Sequence, residues 1–289
     1  GLKRGTKKQF KRNDKLYTRL ADHIGLFPAV MIAPDDAALI HDGSEMRRKW
    51  LDTVISQYDR GYLEALIDVN KSLSQRNALL RYFAENRTFD ATLLSSWNAR
   101  MAPKAAKIAA ARATFMNDFL PGFLSTYKEI SGGAEVVTLA LKTHVVGDAQ
   151  AIEEMMEQAQ DDDRRLRRTT IGVHKDDVIF KLGEHALNRF GSQGQQKSFL
   201  VSLRLAQFAF IEEATGVKPV LLLDDIFDKI DEKRVGALMR RVTNGAFGQV
   251  FITDTHLGRI PAMFEQTGAD VKVFEVNEGE VSPIESEVS

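Results

Sequence analysis

The sequence predicts an α/β protein whose sheet-forming parts are separated by a long helical insert. Short, continuous apolar runs near both ends read as buried strands, and the last third alternates such runs with helical segments. That alternation indicates a sheet covered on both faces. Between the two parts, apolar residues recur at three- and four-residue steps, which is the period of a helix with one buried face. The chain therefore divides into residues 1–40, a remnant of a sheet-bearing lobe, residues 41–165, a helical lobe, and residues 166–289, an α/β lobe.

Taken in order, Phe27-Pro28-Ala29-Val30-Met31-Ile32-Ala33-Pro34 is a strand closed by proline. From Ser44 a helical stripe runs through Trp50, Leu51, Val54, Ile55, Tyr58, Tyr62, Leu63, Leu66 and Ile67 and continues to Leu80. Two further helices are expected over 90–102 and 104–130, the second opened by Pro103 near its first turn. Ser131-Gly132-Gly133 ends that pattern, and Val136–Leu141 is a strand. A helix over 149–167 finishes in the basic run Arg164-Arg165-Leu166-Arg167-Arg168. The α/β lobe then offers strands at Asp177–Leu182, Val217–Leu223, Gln249–Thr253 and Val271–Val276, with helices near 194–214 and 231–243.

Composition narrows the function classes. The 289 residues contain no cysteine, so disulfides, thiolate metal sites and cysteine nucleophiles are excluded. No run of 18 apolar residues is present, and no secretory signal opens the sequence, so a cytoplasmic protein is expected. The net charge of −1 conceals an asymmetry. Residues 1–20 carry eight Lys and Arg against Asp14, a basic end suited to phosphate backbones, whereas the chain from Glu265 onward is acidic.

Two motifs carry chemistry. Val220-Leu221-Leu222-Leu223-Asp224-Asp225 is an apolar strand that delivers two carboxylates at its C-terminal edge. The first is placed to hold a nucleotide-bound Mg²⁺ and the second to orient or deprotonate a water. Taken alone, aspartates at a strand end also serve as turn or helix caps. About thirty residues upstream, Gly191-Ser192-Gln193-Gly194-Gln195-Gln196-Lys197-Ser198 opens a helix. Small residues there allow close backbone approach to a phosphate, and the helix N-terminus supplies free N–H donors and a favourable dipole.

Ser192-Gln193-Gly194-Gln195 followed by Leu221-Leu222-Leu223-Asp224-Asp225 resembles the signature and Walker B motifs of ABC-type ATPases in the wording of the RecF family. Four other stretches look like blocks of that family: Ile32-Ala33-Pro34-Asp35-Asp36, Arg47-Arg48-Lys49-Trp50-Leu51-Asp52, Gln75-Arg76-Asn77-Ala78-Leu79-Leu80 and Gly172-Val173-His174-Lys175-Asp176-Asp177. The resemblance implies an ABC/SMC-type, P-loop NTPase-like ATPase head with an inserted helical lobe. It implies ATP and Mg²⁺ as cofactors, with Asp224 as the metal carboxylate and Asp225 as general base. Ser192, Gln193 and Gly194 would contact the γ-phosphate held by a partner subunit, with Gln195 and Gln196 shaping the loop. Asp231 falls at the D-loop position, although Asp228-Lys229-Ile230 departs from the usual Ser-Glu-Leu. His256 in Thr253-Asp254-Thr255-His256 is placed as the switch residue, and Pro34-Asp35 stands at the Q-loop position without its glutamine. His174 is expected to pin a turn. Lys7, Lys8, Arg47 and Arg48 are the implied DNA-phosphate contacts.

The partners implied are double-stranded and gapped DNA, RecO and RecR, with promotion of RecA loading by an ATP-dependent homodimer and no membrane. No Gly-x-x-x-x-Gly-Lys-Ser/Thr loop occurs in the sequence. In the family that loop precedes the block with which this sequence begins, so the expectation is a chain lacking roughly the first quarter and unable to hold ATP unaided. Two other readings are a transporter nucleotide-binding subunit, against which the signature wording and the helical insert argue, and a helical protein-interaction fragment without ATPase activity.

Overall fold

The structure, a computed structural model, describes residues 10–133, 135–226, 236, 238–241, 245–256, 264 and 271–284. At its start, β1 (Lys11–Arg12) and β2 (Lys15–Leu16) form a hairpin across Asn13 and Asp14, both at positive φ, as a two-residue turn of this hand requires. β3 (Ala29–Ile32) buries Val30 and Ile32 on one face by strict alternation, and Pro34 converts the chain to a single 3₁₀ turn. The short α1 (Ala38–His41) follows.

The helical stripe is two helices rather than one, α2 (Ser44–Tyr58) and α3 (Arg60–Asn86). Asp59 breaks it in an extended conformation and caps α3 by accepting from Tyr62 N at 2.8 Å. The opposite correction applies next. The two helices expected on either side of Pro103 are one, α4 (Ala91–Ser131), 41 residues long with Pro103 and Pro121 inside it. Each proline deprives the carbonyl four residues earlier of its donor. Those carbonyls belong to Ala99 and Asn117, both exposed, where water can satisfy them. The opposite face is fully committed to packing, which outweighs the prolines. Gly132 in the left-handed region ends the helix.

That buried face is the spine of the core. Phe115, Phe119, Phe123 and Tyr127 follow one another at four-residue steps, each at most 1% exposed. Trp50 of α2 meets Phe115 and Phe119 edge-on at 6.0 and 5.8 Å. After β4 (Val137–Lys142), α5 (Ala149–Gln158), α6 (Gln160–Leu166), β5 (Asp177–Leu182), β6 (His185–Ala186) and α7 (Leu187–Phe190) comes α8 (Gln193–Thr215). Its Phe199 packs 4.9 Å from Phe123, and its Phe210 5.0 Å from Phe115. Such aromatic pairs contribute about 0.5–1.5 kcal/mol each beyond the area they bury.

The principal sheet is parallel, in the order β3, β7 (Val220–Asp224), β8 (Val250–Thr253). Ala29–Ile32 lie beside Val220–Leu223, and Leu221–Asp224 beside Val250–Thr253. Not every expected strand joins it. β5 pairs antiparallel with β4 in a second sheet, so the boundary drawn at 165/166 runs between two strands of one sheet. β9 (Val273–Asn277) forms a hairpin with β10 (Glu280–Ile284). The helix expected over 231–243, most of it, lies outside the described residues. Among the described residues, no helix is long and apolar enough to cross a membrane.

Candidate nucleotide site

In parallel α/β sheets ligands gather beyond the C-terminal ends of the strands. Here that edge collects three segments. β7, anchored by buried Leu221 and Leu223, delivers Asp224 and Asp225. β8 places Thr253 directly beside Asp224, and its hydroxyl donates to Asp224 Oδ1. β3 brings Ala33-Pro34-Asp35-Asp36 to the same edge.

Asp225 is held in an unusual way. Its backbone lies in the left-handed region, φ 47°, and its amide donates to Thr253 O at 3.2 Å. The turn carries the second carboxylate out of the strand direction, so the two acids do not alternate across the sheet as successive strand residues do. Asp225 Oδ1 is shielded from solvent with no hydrogen-bond partner among the described residues. A shielded acceptor of this kind calls for a donor or a cation. Among the described residues no three metal-ligating side chains cluster. A pair of carboxylates suits Mg²⁺, which usually takes its remaining ligands from water and phosphate oxygens. His256 is exposed beyond the end of β8, its amide donating to Asp254 Oδ1 at 2.8 Å and its Nδ1 lying 3.2 Å from Thr255 Oγ1. Asp231 lies outside the described residues.

The signature segment forms the N-terminus of α8. Ser192 is the cap: its Oγ accepts from Gln195 N at 3.2 Å, and Gln195 Oε1 accepts from Ser192 N at 2.8 Å. Gln195 Nε2 then donates to Glu135, which also accepts from the Tyr127 hydroxyl. Gln196 Nε2 donates to Gly191 O at 2.9 Å and Leu187 O at 3.3 Å. A Cβ on Gly191 would stand 2.8 Å from Leu187 O, so the turn admits only glycine without a shift. Gln195 and Gln196 therefore have their amides engaged within the loop. Ser192 and Gln193 are exposed at its tip, and Ser192 retains a hydroxyl proton to donate.

The signature turn and the segment after β3 are tied to one helix. Arg204, twelve residues along α8 from Ser192, donates to Asp36 with Nε at 3.2 Å and a second bond from Nη2. Its Nη1 donates to Gln207 Oε1, which also accepts from Trp50 Nε1. Twelve residues of helix correspond to about 18 Å. The signature tip is thus roughly that far along α8 from the point where the helix meets the strand-end segments.

Three of the four remaining sequence blocks meet in a buried polar hub. Arg112 donates to Asp176, Asp52, the Tyr62 hydroxyl and Val173 O. Burial opposes its charge, but Tyr62, Asp52 and Asp176 hold its pKa above the usual value. Arg76 donates to Asp163, Asn98 and Thr169. Two of the expected DNA contacts also bond to this region of the protein. Arg47 grips Asp177 with Nε at 2.7 Å and Nη2 at 3.1 Å and donates to Leu39 O and Asp42 O. Arg48 donates to Asp176 O and Ser44 Oγ. Both side chains are half-buried; Arg48 bonds through Nη1 alone, whereas Arg47 uses all three of its guanidinium nitrogens. Lys7 and Lys8 lie outside the described residues. His174 does pin a turn, with Nε2 3.2 Å from Thr169 O, and burial pushes its pKa down to about 4. Thr253 is read in the sequence as part of the Thr253–His256 segment and given no role of its own; Glu135 and Arg204 stand in no motif, and only Arg204, an isolated charge on an otherwise apolar helix face, left a trace.

A parallel sheet whose central strand ends in two aspartates, with a capped, glycine-bearing helix start on α8, is the layout of an ATP-binding ATPase fold. No protein-family model matches the chain. It is 45% identical over 273 residues to the DNA replication and repair protein RecF of Flavobacterium johnsoniae, covering 94% of this chain and 76% of that protein. It is also 45% identical to RecF of Phocaeicola vulgatus, covering 98% of this chain and 75% of that protein. Two solved structures of the recombination mediator protein RecF in the RecFOR pathway share the fold at 26% identity. RecF-ATPrS superposes with a TM-score of 0.82 over 98% of this chain and 75% of that one, and RecF-ATP with 0.83 over 96% and 73%. The chain belongs to the RecF family of DNA replication and repair proteins.

Proposed function

We propose that the chain works as one half of an ATP-dependent DNA-binding dimer in recombinational gap repair. One observation carries this reading: the signature tip stands about 18 Å along α8 from the helix turn bonded to the strand-end segments. That span ends at Asp36, in the segment after β3 that borders β7, and in this reading each motif serves a different nucleotide. In this reading Asp224 holds Mg²⁺, oriented by Thr253, and Asp225 is the general base. His256 senses the γ-phosphate from the neighbouring strand end, and Asp231 belongs to the same interface. Ser192, Gln193 and Gly194 close on nucleotide held by the partner, with Gln195 supporting the loop through its cap and Glu135. Bound Mg²⁺ would neutralise charge on the phosphates as the terminal one is transferred to water.

Double-stranded and gapped DNA are the proposed targets, with Lys7 and Lys8 among the phosphate contacts. RecO and RecR are the proposed partners in promoting RecA loading, and the cytoplasm the proposed location. Lacking a Gly-x-x-x-x-Gly-Lys-Ser/Thr loop, the chain by itself is not expected to hydrolyse ATP.

The test joins the chain to the phosphate-loop segment of a family member and follows association by analytical ultracentrifugation. Dimers should form with ATP, persist longer in Asp225→Asn, and fail in Ser192→Arg while ATP binding remains. ATP-driven dimers that tolerate Ser192→Arg would refute the composite site. ATP binding by the unjoined chain would refute its need for the loop.

A further inference from the structure

Four described helices end on a residue in the left-handed backbone region. α4 and α8 do so on Gly132 and Gly216, where no side chain opposes the conformation. α3 and α6 end on Arg87 (φ 53°) and Arg167 (φ 54°). In both, the next amide reaches back five residues, Thr88 N to Phe83 O and Arg168 N to Asp163 O, each at 3.1 Å. Glycine would close these turns without strain. The partial negative charge at a helix C-terminus favours cations, but an arginine within the last turn meets that need on relaxed backbone.

The two ends lie on one side of the helical lobe: α6 packs along the C-terminal part of α3, and its last turn reaches the α3 end at the corner where Arg164 meets Phe89. Asn77 of α3 accepts from Thr169 N and Oγ1 just beyond α6, both at 2.7 Å. The Arg164 guanidinium lies 3.9 Å over the ring of Phe89, which follows α3. Phe89 meets Phe83 edge-on, and Phe83 touches Tyr82, so a row of rings runs across the corner. Tyr82 is 56% exposed and Phe89 36%. The acids nearby are largely engaged: Asp161 and Asp162 pair with Arg164 and Arg165, and Asp90 caps α4. Glu85 remains on the outer face of α3. Arg81, Arg87, Arg167 and Arg168 are exposed and have no ion-pair partner among the described residues.

We propose that this corner, the α3 and α6 ends with the rings of Tyr82 and Phe89, is a binding site for single-stranded DNA. Guanidinium forks match phosphate oxygens, and exposed rings interleaved with them offer stacking surfaces to unpaired bases. A duplex presents no unstacked base to the rings, and an acidic peptide would leave them unused. The choice of DNA as ligand rests on the gap-repair reading. The site itself needs neither ATP nor dimerisation.

The test is fluorescence anisotropy of an oligothymidylate with the 289-residue chain over a range of salt, beside thermal denaturation. The double variant Arg87→Gly/Arg167→Gly should hold or raise Tm, since glycine relieves both turns, yet lose on the order of tenfold in affinity. The slope of log K against log salt should flatten by about 1.4, for two phosphate contacts on a single strand. Arg81→Gln/Arg168→Gln, on relaxed backbone, should flatten the slope likewise, and Tyr82→Ala should weaken binding without altering it. Lys7→Gln/Lys8→Gln should leave the effect of Arg87→Gly/Arg167→Gly intact. The site is overturned if the chain ignores the oligonucleotide, if the arginine variants bind as tightly as the parent, or if Arg87→Gly/Arg167→Gly loses Tm and affinity together. It is also overturned if poly-glutamate competes better than DNA. None of these failures touches the composite ATP site, which is read out by dimerisation.

Discussion

Arg112 donates to Asp176 at 2.7 Å with the two side chains 1% and 0% exposed, a charge pair sealed inside the protein. Asp176 Oδ1 also receives the Thr143 hydroxyl and the His144 amide, and its backbone carbonyl accepts from Arg48. One residue, through its carboxylate and its carbonyl, thus joins α2, α4, the end of β4 and the turn before β5.

Removing the arginine strands that carboxylate. Arg112→Leu should destabilise the chain by about 3–5 kcal/mol, the usual effect of leaving a buried charge uncompensated. Chemical denaturation followed by circular dichroism would show it as a lower midpoint. A change under 1 kcal/mol would mean that water reaches Asp176 and that the pair contributes little.

His174 links the same hub to pH. Its folded pKa, about 4, lies below the ordinary 6.5, so the unfolded chain binds the proton more readily. Stability should therefore be complete above about pH 6.5 and fall as the pH drops towards 4, by up to about 3 kcal/mol. Denaturation midpoints across that window check this, and His174→Gln should flatten the slope.

At the signature turn, Gly191→Ala would put a methyl group 2.8 Å from Leu187 O and 2.9 Å from Leu187 Cδ1. The turn must open, at a cost of roughly 1–3 kcal/mol, carrying the Ser192 cap with it. Calorimetry should register the loss, and the joined protein should dimerise less well with ATP. Ala at Gly183, whose φ is positive where that of Gly191 is not, and whose Cβ would meet nothing within 4 Å, should leave dimerisation unchanged.

Arg204→Lys tests the tie between α8 and the loop after β3. Lysine keeps the charge but cannot reproduce the two-pronged bond to Asp36 together with the bond to Gln207. A loss of about 1–2 kcal/mol is expected, with Asp36→Asn giving no further loss in the Arg204→Lys background beyond roughly 0.5 kcal/mol.

Much of this was legible before any coordinates. Asp177–Leu182 is a strand with the predicted bounds, and α8 starts within a residue of its expected start. The motifs could be read because they are local: a run of leucines ending in aspartates, and a small polar cap before a helix. What failed was non-local. Pro103 reads as a helix start because sequence cannot reveal that Ala99 faces water while Ala102 and Ala105 face the core. Arg47 and Arg48 read as surface cations because their acceptors, Asp177 and the Asp176 carbonyl, lie about 130 residues downstream. The assignment of β5 to a second sheet likewise depended on β4, a partner its own apolar pattern does not name.

The pairing of β3 with β7 also has a consequence in time. Ala29 and Val220 are neighbours in the sheet but 191 residues apart in the chain. At about 5–20 residues per second, β3 leaves the ribosome some ten to forty seconds before β7 exists. During that interval α3 and α4, adjacent in sequence, can already fold against each other, while Ala29–Ile32 waits with an open edge. A nascent chain in this state is a natural client for a chaperone that holds extended apolar segments, and its handover would coincide with synthesis of Val220–Asp224.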